Sequence, residues 1–110
     1  MKIEEVFARR RFIMLDGAMG TQLQLRGLTT EQKPELAAFI MPDVLTAVHR
    51  DYARAGADIL LANTFGANPR KLKGTGYTVQ QVIEASIACA RTAAQETGAL
   101  VALDLSLIHI

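Results

Sequence analysis

Asp16 and Gly17 are the first residues of the chain whose types could bind a charged ligand, because they follow directly on the apolar run 12–15. A carboxylate at that point could accept hydrogen bonds from an ammonium group. A glycine beside it would let the ligand approach the backbone. The pair Asp-Gly is also typical of a plain turn, so residue type alone leaves a functional and a structural role open for Asp16.

A second polar loop begins with Asn63, Thr64 and Phe65, directly after the apolar run 59–62. The amide of Asn63 and the hydroxyl of Thr64 could pair with a carboxylate or orient another ligand. The alternative is structural, since Asn and Thr after a strand often cap the next element. Ligands of parallel β/α proteins bind at the carboxyl ends of the strands, where such loops converge.

The loops must be positioned by strands, and three continuous apolar runs predict them. These runs are 12–15, 59–62 and 99–103, the last arriving at Asp104. Short apolar runs bounded by turn residues are typical of strands that are buried on both faces of a parallel sheet. We therefore expect the loops that follow these runs to share one edge of a sheet.

Two helices are predicted between the strands. The first begins at Pro42, whose fixed φ suits the first helical position, and ends before Gly56. The second begins at Thr78, which forms a capping box with Gln81, and ends before Gly98. The order strand, helix, strand, helix, strand indicates right-handed βαβ units.

The remaining segments carry weaker signals. A short helix is predicted over 21–26, before Gly27. The stretch 28–41 is predicted to be mostly loop with one short helix, because Pro34 interrupts it, and 63–69 is predicted to be a loop. The fold class is therefore α/β, either an open doubly wound sheet or part of a (β/α)₈ barrel, which needs about 250 residues.

Composition excludes several classes of function. The chain has 110 residues, with 12 basic against 11 acidic residues and a net charge of +1, so nothing indicates a nucleic-acid or membrane-surface partner. Its charged beginning is unlike a signal peptide, and its apolar runs are far shorter than the roughly 18 residues that suggest a membrane span. A cytoplasmic protein is predicted.

Three other features favour structural roles. His49 is interpreted as an ordinary helix histidine, and Cys89, the single cysteine, as a small buried hydrophobe. The run 74–76, Gly-Thr-Gly, lacks the third glycine of a dinucleotide fingerprint and has no strand immediately before it. No set of Cys, His, Asp or Glu has zinc-site spacing, so no metal ligand is predicted in this chain.

Three motifs together resemble the homocysteine S-methyltransferase family. They are Leu15–Thr21, Ala57–Asn68 and Val101–Asp104, in that order along the chain. The likeness is in particular to the N-terminal homocysteine-binding domain of the cobalamin-dependent methionine synthases. It implies that the chain is the first three or so βα units of a (β/α)₈ barrel that transfers a methyl group to the homocysteine thiolate, which makes methionine.

The resemblance also implies roles for residues. Asp16 and Gly17 would hold the amino-acid end of homocysteine, and Asn63, Thr64 and Phe65 would line the same pocket. Zinc would activate the thiol, because coordination deprotonates it at neutral pH. The family's zinc cysteines are expected downstream of this chain, so no catalytic residue is assigned here. The sequence does not identify the methyl donor, because cobalamin, methyltetrahydrofolate, betaine and S-methylmethionine would all be recognised by other parts of the protein.

The last six residues, 105–110, resemble the translation of a transposase adapter used in preparing sequencing libraries. The prediction is a partial homocysteine-binding barrel domain over 1–104, inactive alone, followed by a non-native tail over 105–110. A natural strand extension is the alternative for the tail. For the function, the alternatives are a barrel methyltransferase that uses another thiol and a small β/α domain that binds a ligand or partner without catalysis.

Overall fold

Short parallel strands alternate with helices in a computed structural model of the chain, which describes Glu4 and residues 13–103. The strands are β1 (Ile59–Leu61) and β2 (Leu100–Ala102). The helices, in chain order, are α1 (Gly20–Leu25), α2 (Ala37–Ile40), α3 (Pro42–Arg54), α4 (Pro69–Leu72) and α5 (Val79–Ala94), with a 3₁₀ turn over Pro34–Leu36. Asp104 and the predicted tail over 105–110 lie outside the described residues.

The sheet is parallel, as predicted. Strand β1 pairs with β2 in the register Ile59 to Leu100 and Leu61 to Ala102. On the other side of β1, Leu15 forms an isolated parallel bridge with Ile59. The order across the sheet is therefore the segment at Leu15, then β1, then β2, which confirms a mixed α/β fold with all three predicted strand regions side by side.

The predicted first strand is shorter than expected within the described residues. Only Leu15 of residues 13–15 is assigned to a bridge, and Phe12 lies outside the described range. The reason is that the Met14 N–H donates to the carboxylate of Asp58 at 2.9 Å instead of to a backbone carbonyl. The Met14 carbonyl still accepts from Asp58 N at 2.7 Å, so the chain stays parallel to β1 at this point.

The two long helices begin where their local signals predict, but α5 ends at Ala94 and is followed by a turn over 95–98, which contains Gly98, the predicted helix stop. Pro42 is the first residue of α3, and Gly56 beyond its end has a φ of +112°, a left-handed conformation that glycine adopts without strain. At the start of α5, the Thr78 hydroxyl accepts from Gln81 N at 3.1 Å, and the Gln81 side chain accepts from Thr78 N at 2.9 Å.

Among the helices described, none is long and apolar enough to cross a membrane.

Apolar clusters hold the helices against each other and against the sheet, and two of them lie around the long helices. Leu60 of β1 is fully buried beneath α3 and α5, where Ala53, Ala93 and Ala94 let the helices approach closely. In the second cluster, α1, α2, α3 and α5 meet through the buried side chains of Leu23, Ala37, Leu45, Val48 and Cys89. The interpretation of Cys89 as a small buried hydrophobe is confirmed.

Two predicted loops contain more structure than expected. Pro34 does not only interrupt the stretch 28–41, since it begins the 3₁₀ turn that leads into α2. The predicted loop 63–69 ends at Pro69, which is the first residue of α4. Asn68 caps that helix, because its side-chain oxygen accepts a 3.0 Å hydrogen bond from Lys71 N.

Candidate functional site

A cleft of about 290 Å³ lies at the carboxyl ends of the strands, where the two polar loops meet. Residues 16–20 form one side, and residues 61–63 continue from the end of β1. Pro34, Glu35 and Lys71 come from segments that cross the cleft from outside the sheet. The place is the one where parallel β/α domains bind ligands.

Asp16 presents a carboxylate at this cleft, held by the sheet. Its side chain is only 2% exposed. Its oxygen Oδ2 accepts a 3.1 Å hydrogen bond from the backbone N–H of Leu61, which is the last residue of β1. A carboxylate that is buried and oriented in this way can pair with a cationic group of a ligand, such as an ammonium.

Tyr52 of α3 sets the path of the loop after Asp16. Its hydroxyl donates a 2.8 Å hydrogen bond to the carbonyl of Ala18. A Cβ atom at Gly17 would lie 2.8 Å from both Cε1 and Oη of the tyrosine, closer than carbon atoms pack. Gly17 therefore has a packing reason for lacking a side chain, besides leaving the backbone open at the cleft.

The residues predicted in the second loop are placed differently from one another. Asn63 lines the cleft, and its side-chain amide donates a 2.7 Å hydrogen bond to the Pro34 carbonyl. Phe65 also lines the cleft and is 51% exposed. Thr64 is fully buried and is not among the residues that line the cleft. The structure thus brings Asp16, Gly17, Asn63 and Phe65 together, while Thr64 lies beneath them.

Glu35 and Lys71 are charged cleft residues that the sequence did not suggest. Lys71 Nζ lies 3.6 Å from Glu35 Oε1, and Lys33 Nζ donates to the Lys71 carbonyl at 2.7 Å. The Glu35 side chain packs over Gly66, where an added Cβ would clash with it. No local pattern marks these residues, because the contact joins two segments more than 30 positions apart.

His49 is a third residue that the sequence interpretation did not connect with the site. It is a helix histidine, as predicted, but its imidazole is fully buried and Nδ1 lies 3.9 Å from Asp16 Oδ2. Burial lowers the pKa of His49 from 6.5 to about 4, because the charged form is poorly solvated there. The imidazole is therefore neutral at pH 7, and its contact with Asp16 is not an ion pair.

A metal centre is not formed by the part of the chain that the structure describes. Across Glu4 and residues 13–103, no group of three His, Cys, Asp or Glu side chains could hold a metal ion. Cys89 is buried in α5, with Sγ 3.9 Å from the Pro42 carbonyl. The described residues therefore do not fit a zinc site.

The fold and the cleft define a parallel β/α domain with a polar cleft at the strand ends. The sequence model of the homocysteine S-methyltransferase family matches residues 13–108. The chain belongs to this family. The match includes residues 105–108 of the predicted tail, whose adapter origin stays a prediction.

Two curated relatives carry activities in their names. The chain is 38% identical over 97 residues to methionine synthase of Mycobacterium tuberculosis, in a match that covers 81% of this chain and 8% of that protein. It is 31% identical over 90 residues to homocysteine S-methyltransferase of Escherichia coli, covering 77% of this chain and 29% of that protein. The chain thus spans less than a third of either relative.

The fold also matches a solved structure. The metallated form of the homocysteine methyltransferase MmuM from Escherichia coli superposes with a TM-score of 0.82 at 26% identity. The match covers 94% of this chain and 41% of that chain. Nearly all of the chain therefore has a counterpart in a larger enzyme of the family.

Proposed function

We propose that this chain is the homocysteine-binding part of a homocysteine S-methyltransferase of the methionine synthase type, which methylates the homocysteine thiolate and makes methionine. The observation that carries the proposal is the buried Asp16 carboxylate at the strand-end cleft of a chain that belongs to this family. The three strand regions would be the first three of a (β/α)₈ barrel. The 41% coverage of the matched structure supports this arrangement.

The described residues can bind and orient the substrate. Asp16 would accept hydrogen bonds from the α-ammonium group of homocysteine, with the backbone at Gly17 close to the ligand. Asn63 and Phe65 would border the same pocket, Phe65 offering apolar surface to the methylene carbons. Thr64 would support the loop from below. The thiol of homocysteine would then point away from the described residues, because none of them could activate it.

Zinc would be held by residues other than those described, because these do not form a metal site. When bound, it would supply the thiolate form of the substrate at neutral pH. The methyl donor stays open between the candidates named above, and cobalamin and methyltetrahydrofolate stay predicted cofactors that other parts of the protein would bind. On this proposal the 110-residue chain alone transfers no methyl group. A cytoplasmic location also stays a prediction.

The test uses the full-length protein that contains this chain. Titration calorimetry with L-homocysteine is expected to show binding, and Asp16→Asn is expected to weaken it by roughly tenfold or more, as for a lost hydrogen bond to a charged group. Methionine formation is followed with each of the candidate methyl donors. Failure of the wild-type protein to bind homocysteine would refute the proposal.

A further inference from the structure

His49 and Tyr52 lie one turn apart on the face of α3 that contacts the first polar loop. His49 Nδ1 approaches the Asp16 carboxylate at 3.9 Å, and the Tyr52 hydroxyl bonds the Ala18 carbonyl at 2.8 Å. Residues three apart on a helix share a face, so one surface of α3 contacts both the side chain and the backbone of this loop.

His49 is an unusual choice for a fully buried helix position. Neither ring nitrogen has a hydrogen-bond partner in the described structure, although the side chain has no exposed surface. Burying a polar group without a partner is unfavourable, and leucine would fill a similar volume without that penalty. A buried histidine at this position therefore suggests that its N–H group has a role. The carboxylate that lies beside Nδ1 is that of Asp16.

The contact between Nδ1 and Oδ2 is longer than a hydrogen bond. A distance of 3.9 Å exceeds a usual N–H···O bond by about 1 Å, so a small movement of Asp16 or of α3 would close it. Hydrogen bonds in binding sites are often long without ligand and shorten in the complex. Leu61 N already bonds the same oxygen, Oδ2, from the side of the sheet. His49 would hold the same oxygen from the side of the helix.

We propose that His49 is a positioning residue, whose Nδ1–H donates to Asp16 Oδ2 when the ammonium group of the substrate is bound. This rests on the proposed function, in which Asp16 receives the α-ammonium group of homocysteine. The proton stays on His49 throughout, and the residue acts only through Asp16. Tyr52 keeps the loop backbone in place from the same face of the helix.

The test compares two ligands in the full-length protein. L-Homocysteine carries the α-ammonium group, and 4-mercaptobutanoate lacks it. His49→Leu is expected to weaken binding of homocysteine by about tenfold, as for a lost hydrogen bond to a charged group, and binding of 4-mercaptobutanoate by less than about twofold. His49→Asn keeps an N–H donor near the place of Nδ1 and should stay within about threefold of the wild type for both ligands. An equal loss for both ligands in His49→Leu, or no loss for either, would overturn the inference.

A second measurement uses only the wild-type protein, so its outcome does not depend on whether a variant folds. ¹⁵N NMR of the wild-type imidazole with homocysteine bound should show the Nδ1–H tautomer, and an Nε2–H tautomer would overturn the inference. Asp16→Asn separates the two proposals. If that variant loses the preference for homocysteine over 4-mercaptobutanoate and His49→Leu keeps it, His49 has no positioning role and the proposed function stands. If the wild-type protein does not bind homocysteine, both are refuted.

Discussion

The hydroxyl of Tyr52 donates a 2.8 Å hydrogen bond to the backbone carbonyl of Ala18 and thereby ties the last turn of α3 to the loop that carries Asp16. The two residues are 34 positions apart. The loop conformation is thus set by a neighbouring helix and not only by its own turn residues. A ligand that binds at the strand ends meets a backbone whose path is fixed in advance, which lowers the ordering cost of binding.

Gly17→Ala is expected to destabilise the full-length protein. The new Cβ would lie 2.8 Å from the Tyr52 ring and hydroxyl, so the loop must shift or the bond to Ala18 must break. Overpacking of this kind lowers the free energy of unfolding by about 1–3 kcal/mol, a loss that urea unfolding would measure. Gly20→Ala is the matched control, because nothing lies within 4 Å of its added Cβ and it begins a helix. Equal stabilities of the two variants would contradict the tight fit at Gly17.

How far the sequence predicts the fold depends on whether the signals are local. Pro42 at the start of α3 and the Thr78 capping box are complete within a few residues, and the structure confirms both. The strand at Leu15 is cut short by a side chain of the distant Asp58. The 3₁₀ turn at Pro34 accepts a hydrogen bond from Asn63, which lies 29 residues away. Such tertiary contacts leave no local pattern.

The same division holds for the candidate site. Asp16 and Asn63 could be proposed because each directly follows an apolar run, and parallel strands bring their ends together. Glu35 and Lys71 could not be proposed from the sequence. A charged residue in a polar segment has the same local pattern whether or not it faces a partner across a cleft. The position of His49 weakly indicated burial, because it lies beside Val48 on the buried side of α3. A histidine on that side also fits an ordinary helix position.

His49 is expected to make the protein less stable in acid. Its pKa is about 4 in the folded state against 6.5 for an unperturbed histidine, because burial disfavours the charged form. Above pH 6.5 the imidazole is neutral in both states. As the pH falls from 6.5 towards 4, the unfolded state binds a proton that the folded state does not. The free energy of unfolding therefore falls, by up to about 3 kcal/mol.

The measurement is urea unfolding of the wild-type protein and of His49→Asn between about pH 7.5 and 4, a range in which a histidine titrates. Both proteins also lose stability through their carboxyl groups and other histidines, so the difference between the two curves isolates His49. The wild-type curve should fall more steeply. Parallel curves would show that His49 is protonated as easily in the folded state as in the unfolded state.

Two leucines of α1 should respond very differently to truncation. Leu23 is 0% exposed in the cluster with Leu45 and Val48, whereas Leu25 is 75% exposed. Leu23→Ala creates a cavity and should cost about 2–5 kcal/mol of unfolding free energy in the full-length protein. Leu25→Ala should change it by less than about 0.5 kcal/mol, as surface substitutions do. Similar losses in both variants would mean that other parts of the protein cover Leu25.

The capping box of α5 gives a further matched pair of threonines. Thr78→Ala removes the acceptor of the Gln81 N–H and should cost about 1 kcal/mol of unfolding free energy in the full-length protein. Thr92 is exposed within the same helix, where its hydroxyl only bonds back to the Ala88 carbonyl. Thr92→Ala should be neutral or slightly stabilising, because alanine favours a helix interior by up to about 0.7 kcal/mol. An unchanged stability in Thr78→Ala would show that solvent replaces the cap without loss.

The 110-residue polypeptide by itself is expected to lack a cooperative fold. Met14, Leu15, Phe65 and Leu103 are between 47% and 55% exposed beside the sheet. In the proposed barrel, further strands would cover them. Uncovered apolar sheet edges promote association and loose packing. The purified polypeptide should bind the dye ANS, show helical far-UV circular dichroism and melt without a sharp transition. A monomeric sample with a steep thermal transition and no dye binding would show instead that α3 and α5 hold these strands in a stable domain without the rest of a barrel.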